Sequence, residues 1–128
     1  LVAVVRATHP IAQGRMTTAR YAAAPHIGVS RRTVDDGWVE TALAAAGHTR
    51  IVVTTVSGFA TAIALARESD LVATVPERHT AGLRRGLRTV ALPFALPEIT
   101  VAMLWHPRMH ADPVHAWLRD RVHDVAGR

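Results

Sequence analysis

The stretch Ile51-Val52-Val53-Thr54-Thr55-Val56-Ser57-Gly58-Phe59 decides the fold. Its first six residues are β-branched without interruption, which predicts a strand buried on both faces of a sheet. Ser57-Gly58 breaks that run, and residues 59–68 follow as a helix. In sheets built this way, ligands bind beyond the carboxyl ends of the strands, where helix N-termini aim their amide groups. The turn from Thr55 to Phe59 is therefore the first place to look for function.

Moving outward, the same alternation continues in both directions. Upstream, Val39, Leu43 and Ala46 recur at helical spacing behind Asp35-Asp36, and Gly47 supplies the stop, so a helix is expected from 35 or 36 to 46. Residues 26–30 read as a strand. Residues 17–24 are Ala-rich, start at a capping Thr17 and stop before Pro25, which predicts a short helix. The Val-rich run 1–6 is a strand ended by His9-Pro10.

Downstream, residues 71–75 form a strand closed by Pro76, and 79–86 read as a short basic helix. Residues 90–94 and 99–105 are the last two expected strands, separated by Pro97. Asp112-Pro113 is a strong helix start, a capping carboxylate followed by proline at the first helical position. Trp117, Leu118, Val122 and Val125 give that final helix an apolar stripe. Strands alternating with helices of about ten residues argue for an α/β fold with a largely parallel sheet. There is no internal repeat, and the best candidate boundary is the proline-punctuated segment 92–96.

Composition bounds the function. A chain of 128 residues with 49% hydrophobic content can bury one core of ordinary size. No apolar run approaches the roughly 18 residues of a membrane span, so no membrane partner is expected. The chain opens on Leu without a signal peptide, which suggests a fragment or a trimmed chain, and the absence of Cys fits a cytoplasmic protein. The net charge of +5 comes from 15 basic residues, all Arg. They are scattered, with only Arg31-Arg32 and Arg84-Arg85 adjacent, and the 5% aromatic content is too low for a base-stacking platform. Direct nucleic-acid binding by this chain is therefore not expected.

Catalytic signatures are absent: no GxxxxGK, GxGxxG, GxSxG or HExxH pattern occurs. His106, His110 and His115, with Asp112 between them, are the nearest thing to a metal set. Pro107 puts the first two in a loop while His115 falls inside a helix, so the group reads as a polar loop before a capped helix. No metal or cofactor is expected, and no nucleophile, base and orienting partner can be assembled, so the chain is not expected to be an enzyme. Asp35-Asp36 fit helix-dipole partners better than an acid/base pair.

Four segments in order resemble the effector-binding domain of LysR-type transcriptional regulators. They are His26-Ile27-Gly28-Val29-Ser30-Arg31-Arg32, Asp70-Leu71-Val72-Ala73-Thr74-Val75-Pro76, Trp105-His106-Pro107-Arg108, and Asp112-Pro113-Val114-His115-Ala116-Trp117-Leu118-Arg119. Their order and spacing, across about residues 4–122, carry the resemblance, and it is closest to the nodulation and aromatic-catabolism branch. The resemblance implies a fold like type II periplasmic binding proteins, with two α/β subdomains and a small-molecule effector in the cleft between them. Residues 10 to about 92 would be the second subdomain, and residues from about 97 to 128 the returning part of the first. The helix-turn-helix DNA-binding domain and the opening half of the first subdomain have no counterpart here, so DNA would be contacted only through a domain absent from this sequence.

The resemblance also places effector contacts at Thr55, Ser57, Gly58 and Phe59. Ser57 would donate through its hydroxyl, Gly58 and Phe59 through backbone N–H groups, and the Phe59 ring would cover an aromatic effector. The plainer alternative is Ser57 as an N-cap and Phe59 as core. His26, Ser30 and Thr74, at other strand ends, are further candidates, with His26 equally read as a hydrogen-bonded core residue. A homo-oligomer is implied by resemblance. A solute-binding protein of similar fold is the second reading, and a small α/β enzyme the third.

Overall fold

The computed structural model describes residues 1–30 and 37–127. Arg31-Arg32, Asp35-Asp36 and the helix start expected at 35 or 36 fall outside the described residues. The described elements are β1 (Val2–Arg6), α1 (Thr18–Ala23), β2 (Pro25–Val29), α2 (Trp38–Ala45), β3 (Ile51–Val56), α3 (Phe59–Glu68), β4 (Val72–Val75), β5 (Leu87–Ala91) and α4 (Pro113–Ala126). Single 3₁₀ turns lie at Pro10–Ala12, Ala81–Arg84 and Pro107–Met109.

Five strands form one sheet in the order β3-β2-β4-β1-β5. Strand β2 pairs in parallel with β3 and β4, whereas β1 runs antiparallel to both β4 and β5. The sheet is therefore mixed rather than largely parallel. Helices α2 and α3 carry the chain back along the strands and so keep β2, β3 and β4 parallel. The 6 residues of α1 span only about 9 Å, less than a strand of about 17 Å. The chain thus enters β2 at the end where β1 stopped.

Strand β1 is buried on both sides. Val2 and Val4 join Ile27, Ala73, Val75 and the inner face of α3 (Ala62, Ile63, Ala66) in one core. Ala3 and Val5 join Ile11, Tyr21, Ala22, Val39, Leu43 and Val72 in a second core beneath α1 and α2. The period-two alternation of a strand divides its side chains between these two layers.

Three expectations shift for identifiable reasons. Strand β3 exists as predicted but lies at the sheet edge, with Ile51 73% and Val53 58% exposed, instead of being buried on both faces. β-branching selects a pleated backbone; it does not select the number of neighbours. The strand expected at 90–94 forms at Leu87–Ala91, because Pro93 has no N–H to extend a ladder. Leu92, Phe94 and Leu96 instead pack on the second core. The basic helix expected at 79–86 is only the 3₁₀ turn Ala81–Arg84, held by Arg67 donating to the carbonyls of Leu83 and Arg85.

The chain divides into two compact units, Leu1–Pro97 and Glu98–Arg128. In the second, residues 99–105 have no regular structure, so the last expected strand does not form, and Leu104 is 90% exposed. Helix α4 starts as its sequence dictates, with Asp112 Oδ1 accepting the His115 N–H at 2.7 Å. Arg119 then donates to the carbonyls of Met109 (3.0 Å) and His110 (2.9 Å). Its guanidinium lies 4.7 Å from the Trp105 ring centroid, within cation–π range. The two final sequence signatures are thus tied together by one arginine. Replacing it by alanine, Arg119→Ala, is expected to release the 106–110 turn, which would be read as faster amide exchange at Met109 and His110 with α4 still helical.

Gly28 gives a second test of the packing. A Cβ there would stand 2.9 Å from Val52 Cγ1 and 3.0 Å from Thr55 Oγ1, both on stiff β-branched side chains. Gly28→Ala is expected to lower the urea midpoint by the equivalent of about 1–3 kcal/mol with an unchanged slope.

Candidate functional site

The carboxyl ends of the three parallel strands converge on one end of the first unit. The Ser30 N–H donates to the Val56 carbonyl at 3.0 Å, tying the exit of β2 to the exit of β3. Helix α3 starts immediately after, with Gly58 as N-cap and, among the described residues, no side chain accepting from its first turn. Ser57 is exposed and does not cap, which removes the plainer alternative for that residue. Uncapped first-turn N–H groups of a helix are available to an acceptor from outside. Phe59 is half-buried and packs on the α3-side core, so part of its ring is committed to the fold.

The other expected residues lie on the opposite face, under α1 and α2. One residue of β3, Val53, has no partner on β2: His26 pairs with Val52 and Ile27 with Thr54. This bulge brings both Val52 and Thr55 against Gly28. One step beyond the registered pair Ile27↔Ala73, Gly28 has Thr74 as its neighbour on β4. Thr55, Gly28 and Thr74 thus form a row across three parallel strands, at the penultimate residue of each.

Beneath that row, a hydrogen-bonded chain crosses the layer. Arg50 donates to Glu40 Oε1 through Nε (2.8 Å) and Nη2 (2.7 Å), and through Nη1 to the Tyr21 hydroxyl at 3.3 Å. The Tyr21 hydroxyl lies 2.7 Å from Thr74 Oγ1. Burial is the main influence on the phenol and raises its pKa above its usual 10.0, against the lowering effects of Arg50 and Thr74. The group is a neutral O–H.

Tyr21, Arg50 and Gly28 were not picked out from sequence. A glycine inside an otherwise apolar strand is a recognised sign of close approach and would have flagged Gly28. Nothing in the pattern marks Tyr21 or Arg50.

A separate open groove of about 370 Å³ lies at the other end of this unit, between the Pro10 turn and the α1–β2 junction, with Arg20 and Asp70 on its walls. None of the expected site residues lines it. Two histidines of the second unit are engaged locally: His106 Nδ1 accepts the Arg108 N–H, and His115 Nδ1 pairs with Arg119. Among the described residues no group of three metal-ligating side chains comes together.

The family described as the LysR substrate binding domain matches residues 1–127. The chain belongs to that family. It is 31% identical over 126 residues to the HTH-type transcriptional activator NahR of Pseudomonas putida, a match covering 97% of this chain and 42% of that protein. It is 37% identical over 109 residues to the HTH-type transcriptional regulator LinR of Sphingobium indicum, covering 82% and 36% respectively. The regulatory domain of MexT, a transcriptional activator in Pseudomonas aeruginosa, superposes with a TM-score of 0.77 at 31% identity, over 94% of this chain and 61% of that one. The chain spans about two-fifths of the length of the curated relatives it matches. Its fold is the periplasmic-binding-protein-like α/β fold of LysR effector-binding domains. These relatives are transcriptional regulators.

Within this LysR domain, His26 is wholly buried, its Nε2 donating to the Tyr21 carbonyl at 2.7 Å and its ring 4.4 Å from that of Tyr21. Its Nδ1 has no hydrogen-bond partner among the described residues. Desolvation on burial dominates and lowers its pKa from 6.5 to about 4; the Tyr21 carbonyl opposes this, and the Arg50 charge adds to it. Because the folded value is depressed, the unfolded chain binds the proton first. Stability is then full above pH 6.5 and falls as the pH drops toward 4, by up to about 3 kcal/mol. Urea titrations at pH 7.5, 6 and 5 should show this slope, and His26→Gln should flatten it; an equal slope in that variant would remove His26 as its source.

Proposed function

We propose that this chain is the effector-sensing part of a LysR-type transcriptional regulator. The observation that carries the proposal is the family match over residues 1–127 together with relatives that are transcriptional activators or regulators. The ligand is a small molecule, with aromatic acids the first class to test. It meets the end of the first unit where β2, β3 and β4 finish, at Thr55, Ser57 and the amides of Gly58 and Phe59, with Ser30 and Thr74 alongside. His26 lies beneath this surface as a supporting residue. The uncapped start of α3 supports the placement, since its N–H groups favour an acceptor or an anion.

In this proposal residues 10 to about 92 act as the second subdomain, and residues from about 97 onward return to complete the first. Two observations support that layout. The two compact units divide at Pro97, and none of the described residues from 98 to 127 is buried. In this layout exposed apolar side chains such as Val101, Leu104, Trp117 and Val125 would face the rest of the first subdomain. Effector binding shifts the population between two arrangements of the regulator, which acts as a homo-oligomer in the cytoplasm and meets DNA through a helix-turn-helix domain. Such a shift requires different effector affinities in the two arrangements.

A thermal-shift screen of the chain against small aromatic and dicarboxylic acids tests this. The expected outcome is a concentration-dependent rise in Tm that is lost in Ser57→Ala and reduced in Phe59→Ala. A hit indifferent to both variants would move the site elsewhere on the domain.

A further inference from the structure

We propose that Thr74 and Thr55, astride Gly28, form a subsite for the carboxylate of the ligand. The inference rests on the effector-sensing reading above and adds to it the chemical group that is recognised and the residues that recognise it.

The argument begins with the direction of the hydrogen bonds. A guanidinium cannot accept, so Arg50 Nη1 donates and the Tyr21 oxygen accepts. Tyr21 is fully buried, and its hydroxyl has only Arg50 and Thr74 as partners among the described residues. A phenol proton buried without an acceptor is costly, so it is given to Thr74 Oγ1. Thr74 is then left with its own O–H as a donor and no further partner among the described residues. The relay runs one way, Arg50 to Tyr21 to Thr74, and ends on a half-buried hydroxyl that offers a proton. Each donor in such a chain is polarised by the one behind it, here starting from the Arg50 guanidinium, itself paired with Glu40. The Glu40 carboxylate holds that guanidinium in place from the other side.

The missing side chain at Gly28 lets the side chains of β3 lean over the strand. The three atoms nearest to a Cβ there all belong to β3: Val52 Cγ1, Thr55 Oγ1 and the Thr54 carbonyl oxygen at 3.7 Å. No atom of α1 or α2 approaches as closely. Thr55 leans inward over the glycine, is exposed, and its hydroxyl has no hydrogen-bond partner among the described residues. Across two strand spacings the two threonine Cα atoms are about 10 Å apart. A carboxylate accepting one hydroxyl at each oxygen bridges up to about 8 Å between the hydroxyls, which the inward lean of Thr55 brings within reach. The group taken here is an acceptor because the relay fixes Thr74 as a donor, and it is anionic because a charged acceptor gains most from a polarised donor.

Isothermal titration of the chain with benzoate and with methyl benzoate, in wild type, Thr55→Val, Thr74→Val, Thr74→Ser and Ser57→Ala, tests this. Benzoate affinity is expected to fall at least tenfold in both valine variants and to return to within threefold of wild type in Thr74→Ser. The ester should bind equally to the wild type and both valine variants. Thr55 is exposed, so its variant keeps the test intact should Thr74→Val fold poorly. Benzoate binding that survives both valine substitutions but is lost in Ser57→Ala would overturn the subsite and leave the effector reading standing. Ester binding without benzoate binding would overturn the carboxylate assignment alone. If neither compound binds the wild type, the subsite and the aromatic-acid reading fall together.

Discussion

Strand β1 carries the constraint on which the rest of the first unit depends. It lies between β4 and β5 and contributes to both cores, Val2 and Val4 to one and Ala3 and Val5 to the other. A strand buried on both faces must be apolar at every position, and five consecutive positions, Leu1 to Val5, meet that demand. Covering both faces of the sheet fixes which helices lie where: α3 on one side, α1 and α2 on the other. The antiparallel placement of β1 then leaves the three parallel strands to finish together, and their shared carboxyl end is the candidate site.

That site is built from two layers with different duties. On the α3 side, the Ser57-Gly58 turn and half-buried Phe59 set the helix start over an apolar floor. On the other side, Thr55, Gly28 and Thr74 form a polar row supported from below by Tyr21, Arg50 and His26. The bulge at Val53 links the two, because it changes which face of β3 the residues after it present. Without that extra residue Thr55 would not share a face with Val52.

The second unit is organised by different means. With none of its described residues buried, it holds its shape through backbone capture: His106 and Asp112 cap the turn and the helix, and Arg119 gathers two carbonyls against Trp105. The paired signatures that carried the family resemblance, Trp105-His106-Pro107-Arg108 and Asp112-Pro113 through Arg119, are therefore local structural devices. They identified the family correctly although they form no part of the candidate site.

The sequence by itself determined the α/β class, the family, the existence of four of the five strands close to their expected positions, the caps at Thr17 and Asp112, and the turn at Ser57-Gly58. These depend on local chemistry: β-branching, capping oxygens, proline and glycine act within a few residues of themselves. Strand direction, the edge position of β3, the three-residue shift of β5 and the absence of a strand at 99–105 were decided by tertiary structure, because they depend on which neighbours supply hydrogen bonds and cover. The same holds for the site. Thr55 and Thr74 were legible as strand-end residues, but their meeting across Gly28 depends on a register irregularity. The relay from Arg50 through Tyr21 joins residues 29 and 53 positions apart in the chain, a separation over which no local pattern carries information.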